Sequence, residues 1–137
     1  MVDEILDSEP LWHENPPKVV AILVAHRAER WLPTALESHA RLDFEPAAWR
    51  VVHDGTDAKT TEIIDQHFDA TQVVDVQAGL GFGDKVAAAI NQAPPADWYW
   101  LLHDDVILEP ASLSGLLNEA TLSETIGAVG PKVREWP

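Results

Sequence analysis

The chain has 137 residues and a formal charge of −14, with 46% hydrophobic and 23% charged residues. That length suits one soluble domain with its own core, and the acidity excludes a general binder of nucleic acid or anionic membrane. With no cysteine there are no disulfides, thiolate metal sites or cysteine nucleophile, and no apolar run is long enough to span a bilayer.

Residues 1 to 17 read as an acidic leader, poorly ordered and closed by Asn15-Pro16-Pro17. Lys18 to Val24 is nearly all apolar, as expected of a strand buried on both faces. Glu29 to Ala40 sets Leu32, Ala35, Leu36 and His39 at helical spacing. A short strand over Trp49 to Val52 stops at His53-Asp54-Gly55-Thr56-Asp57, and Lys59 to Phe68 reads as the next helix. His39 and His67 fall on these helices as packing or surface residues.

Thr71 to Val76 is a third β-branched run, leading into the glycine-rich loop Gly79-Leu80-Gly81-Phe82-Gly83. Val86 to Gln92 continues as an alanine-rich helix ended by Pro94-Pro95. Trp98 to Leu102 is an aromatic segment expected in a core strand, and it ends abruptly in His103-Asp104-Asp105. A helix over Pro110 to Ala120 and a last strand over Ile126 to Val129 complete the pattern. Strict β-α alternation predicts an α/β fold, a Rossmann-like, mostly parallel sheet with helices on both faces. Of six tryptophans, Trp31 and Trp136 are the candidates for the rim, the others for the core.

Polar clusters follow the strands: Ala25-His26-Arg27-Ala28-Glu29 after the first, His53 to Asp57 after the second, the glycine loop after the third, and His103-Asp104-Asp105 after the fourth. In a parallel sheet the carboxyl ends share one edge, so these segments line one cleft. Asp54, with Gly55 permitting close approach, suits a nucleobase or ribose donor, whereas Asp57 reads as a turn or helix cap. The glycine loop either turns backbone N–H groups toward an anion or is simply flexible. It lacks both the dinucleotide and the P-loop spacing. Lys85 can reach a phosphate or stay solvated, and Arg27 offers a fork of donors suited to pyrophosphate. Two adjacent acids repel, so a divalent cation or a capping role is expected of Asp104 and Asp105.

These residues resemble the donor-binding half of a family 2 glycosyltransferase with the GT-A fold. Val19 to Glu29 is similar to its first strand and loop, and Val51-Val52-His53-Asp54-Gly55-Thr56 to its V-V-D-D-G-S segment, with His53 replacing the first aspartate. Gly79-Leu80-Gly81-Phe82 resembles N-L-G-F, and Leu101 to Val106 resembles the D-x-D strand with His103 in place of its first acid. Gly127 to Lys132 resembles I-G-A-V-G-P-K, so the likeness covers residues 18 to 133. Ala87 stands where the family often has asparagine.

The resemblance implies transfer of a sugar from a nucleotide-diphosphate sugar to an acceptor hydroxyl with inversion. Ala25, His26, Arg27, Glu29, Asp54, Gly55, Lys85 and Asp104 would bind the nucleotide sugar. Asp105, with His103 or Asp104, would hold Mn2+ or Mg2+. The acceptor would come from polysaccharides, glycolipids or cell-wall intermediates. The family's acceptor region and catalytic base lie beyond Val133, so residues 18 to 137 are expected to be a GT-A-like domain truncated before that region, with little or no turnover. A cytoplasmic location is implied, any membrane attachment coming through a longer parent protein. The rival expectations are a degenerate, non-catalytic nucleotide- or partner-binding domain and a metal-dependent nucleotidyltransferase or phosphohydrolase. The nucleotidyltransferase is disfavoured because Ala25-His26-Arg27 is not a glycine-rich basic loop.

Overall fold

A computed structural model describes residues 11–135; the expectations for residues 1–10 and for Trp136 lie outside them. Four strands form one parallel sheet: β1 (Val19–Val24), β2 (Ala48–His53), β3 (Val73–Asp75) and β4 (Trp98–His103), in the order β3-β2-β1-β4. The helices are α1 (Leu32–His39), α2 (Ala58–His67), α3 (Phe82–Asn91) and α4 (Ser112–Ala120), preceded by a short 3-10 turn over Leu11–His13.

β1 is central, and all six of its residues are buried. Alternation sends Ala21 and Leu23 to one face, with Leu32 and Leu36 of α1 and Ile64 of α2. Val20, Ile22 and Val24 go to the other, with Val86 and Ala89 of α3. Val19 packs with Leu113 and Leu117 of α4 and with Trp12, so α4 shares the face of α1 and α2. The assigned leader therefore contributes a core residue: Trp12 is buried and its indole N–H donates to Asn118 at 2.9 Å.

The helices begin where local chemistry lets them. Arg27 takes φ +46°, so the chain turns before α1 and that helix starts at Leu32, with Pro33 in its first turn, not at Glu29. Gly81 is extended and opens α3 at Phe82, earlier than the alanine run implies, so Gly83 lies inside the first turn.

Two expectations are corrected. The aromatic strand β4 is an edge strand, not a core strand. Trp98, Trp100 and Leu102 turn inward, but Tyr99 is 40% and Leu101 46% exposed because α3 lies over β1 and β2. Ile126–Val129 is not a strand: it carries no regular secondary structure and pairs with no strand among the described residues. Crossover geometry disfavours a parallel strand there. The path β1-β2-β3 runs one way with α1 and α2 on one face, and the return to β4 carries α3 on the other. These crossovers share one hand, the right-handed one that twisted strands favour. A parallel strand beyond β4 reached through α4, which lies on the face of α1, would need the opposite hand.

Candidate functional site

The direction of winding reverses between β1 and β4, and in open α/β sheets ligands sit outside the carboxyl ends of strands at such a point. Two loops meet across this crevice. The backbone N–H of His26, two residues past β1, donates to the Asp104 carboxylate just past β4 at 2.8 Å. Asp104 is half-buried, and burial pushes its carboxyl above the usual range, helped by the charge of Asp105 and opposed by the His26 N–H.

The β2 end joins the same place. Oδ1 of Asp54 accepts the Thr56 amide at 3.0 Å and the Thr56 hydroxyl at 2.7 Å, and the His26 ring Nδ1 faces Oδ2 at 3.5 Å. The Thr56 donors hold the Asp54 carboxyl below its ordinary range. Gly55 has φ +72°, which only glycine takes readily, and so the carboxylate and the threonine fold back on each other. Asp57 is the N-cap residue of α2, and its carboxylate accepts the Thr60 hydroxyl at 2.5 Å. That same hydroxyl oxygen accepts the buried Ala28 N–H at 2.8 Å, fastening the β1 loop to α2.

The glycine loop supplies a third wall. Gly79 has φ +90°, and α3 starts with no side-chain cap on its first N–H groups. Lys85, in its first turn, is 7% exposed. Its ammonium forms no hydrogen bond or ion pair with the described residues, while its charge reaches Asp54. A lysine with a buried stem and an accessible ammonium, beside open helix N–H groups, is an arrangement suited to an anion.

The structure thus brings His26, Asp54 and Asp104 into contact, with Lys85 in electrostatic range. Ala25 is buried, its N–H donating to Val52 at 2.9 Å, so it shapes the loop through its backbone. Glu29 is held elsewhere, in an exposed ion pair with Lys59 at 2.8 Å. His103 stacks on Phe82 with ring centroids 4.5 Å apart. Asp105 is exposed and makes no hydrogen bond or ion pair among the described residues, and those residues hold no group of three or more His, Asp or Glu able to grip a metal alone. Sequence reasoning missed Thr56, Thr60 and Phe82. The Asp-x-Thr spacing signals the first, a threonine three residues after a cap signals the second, and nothing local signals the third.

The sequence model described as glycosyltransferase like family 2 matches residues 16–137, and the chain belongs to that family. A search of curated proteins finds no match. Among solved structures, the crystal structure of S. aureus TarS 1-349 is similar, with a TM-score of 0.53 and 19% identity, covering 84% of this chain. That likeness is one of fold, a Rossmann-like α/β sheet, and this chain spans 38% of the TarS chain. No helix among the described residues is long and apolar enough to cross a membrane.

Proposed function

We propose that this domain binds the nucleotide-diphosphate sugar of an inverting glycosyl transfer to an acceptor hydroxyl. The observation that carries this reading is the crevice where His26 meets both Asp54 and Asp104, with the charge of Lys85 reaching Asp54. Asp54 accepts from a base N–H or ribose hydroxyl. Lys85 and the first N–H groups of α3 face the diphosphate, and Arg27 borders it.

The donor set for a metal is one free carboxylate, Asp105, with Asp104 and the stacked His103 adjoining. That fits a cation shared with substrate phosphates and not a protein cage, the arrangement Mg2+ favours and Mn2+ accepts. Such an ion, when bound, offsets charge growing on the leaving diphosphate. Asp105 holds the diphosphate end in register, while Asp104 keeps the β1 loop closed over it. No residue is assigned as general base, and the acceptor is drawn from polysaccharides, glycolipids or cell-wall intermediates. The 137-residue chain by itself binds nucleotide weakly and turns over little or not at all.

Calorimetric titration with UDP, GDP and dTDP, each in Mn2+ and then in EDTA, tests this. Binding of one nucleotide that needs the metal and is lost in Asp105→Ala supports the reading. Metal-independent binding, or none, speaks for a non-catalytic domain.

A further inference from the structure

The Asp54 carboxylate is well placed to read a ligand and yet is covered. Its side chain is 7% exposed, Oδ1 is filled by two Thr56 donors, and Oδ2 faces the His26 imidazole at 3.5 Å. The imidazole itself is 53% exposed, and 3.5 Å is too long for a strong hydrogen bond. The backbone beneath it is fastened at three points: Ala25 N–H to Val52, His26 N–H to Asp104 and Ala28 N–H to Thr60. A tied backbone with a loosely held ring leaves one motion, rotation of the side chain.

We propose that the His26 imidazole is a gate over Asp54, closed in the free chain, which must swing aside before a ligand N–H or O–H reaches Oδ2. This rests on the donor-site reading and changes one part of it: His26 regulates entry and does not supply a ligand contact. A ligand that binds only the open form loses apparent affinity in proportion to the closed fraction. An exposed pair at this distance is weakly held, so removing the ring should gain about two- to five-fold.

Stopped-flow binding of N-methylanthraniloyl UDP and GDP in Mn2+ tests the gate in wild type, His26→Ala and His26→Phe, each first checked for a native thermal melt. The expected result is faster association in His26→Ala by about two- to five-fold with dissociation unchanged. His26→Phe, which keeps a ring over the carboxylate, should gain less. In the wild type, nucleotide should shift the His26 ring resonances. Faster dissociation and weaker binding in His26→Ala would make the ring a ligand contact and overturn the gate alone, as would an equal gain in the Phe variant. Absence of nucleotide binding in all three proteins would overturn the donor-site reading and the gate with it.

Discussion

At residue scale, the two conformationally or chemically costly positions lie at opposite ends of the sheet. Arg27, φ +46°, sits in the loop at the carboxyl rim. An L side chain there is strained by roughly 1 kcal/mol relative to glycine. Arg27→Gly should therefore leave stability unchanged or raise it by up to about 1 kcal/mol in urea unfolding, while weakening nucleotide binding; a variant that loses stability would refute the strain. His39 lies on α1 near the strands' amino ends, stacked on Trp49 at 4.8 Å, with both ring nitrogens buried and unbonded among the described residues. Burial lowers its pKa from 6.5 to about 4. The unfolded chain thus takes up the proton first, so this contribution is whole above pH 6.5 and is lost as pH falls toward 4. Its size is at most about 3 kcal/mol. His39→Phe, which keeps the stack, should flatten stability against pH across that window, as followed by chemical denaturation.

Among the elements, the chemistry of the loops depends on how firmly helices hold them. Thr60, 3% exposed, is the single link between Ala28 N–H and Asp57. Thr60→Val strands a buried N–H and should cost about 1–3 kcal/mol, with increased amide exchange at Ala28. The central strand sets the upper scale: Ile22→Ala should cost about 2–5 kcal/mol. These elements also mark what sequence could and could not disclose. β1 was legible because a strand buried on both faces is a continuous apolar run. The rim loops were legible because charges halt such runs. Crowding of aromatics in β4 looked like full burial, yet exposure there is decided by where α3 lands, a tertiary fact. Ile126–Val129 has strand composition, but composition does not supply a partner, and the face taken by α4 disfavours a parallel place beside β4. Of the site, Asp54 and Asp104 could be singled out by type and position, whereas the contacts that join them to His26 form only once β1, β2 and β4 lie side by side.

For the whole molecule, the sheet is closed on its faces more completely than at its sides. Among the described residues no strand pairs with the outer edge of β4, where Tyr99 and Leu101 lie on the surface and no Asp, Glu, Lys or Arg stands within the strand. Such an edge invites pairing with other chains, and the acidic surface opposes it at low salt. Light scattering should show association that grows with salt and protein concentration. Leu101→Lys should suppress it without lowering the melting temperature, and persistence of the association would place it elsewhere.

The distribution of indoles has an optical consequence. Trp12, Trp49, Trp98 and Trp100 gather on the α1 and α4 side, around the amino-terminal halves of the strands and away from the crevice. Most of the chain's intrinsic emission therefore watches the floor of the domain while a ligand arrives at its roof. Native fluorescence should report unfolding, and the acid titration of His39 against Trp49, with good contrast, and respond to nucleotide mainly through the half-exposed Trp31 at the start of α1. A chromophore on the ligand would give the larger binding signal.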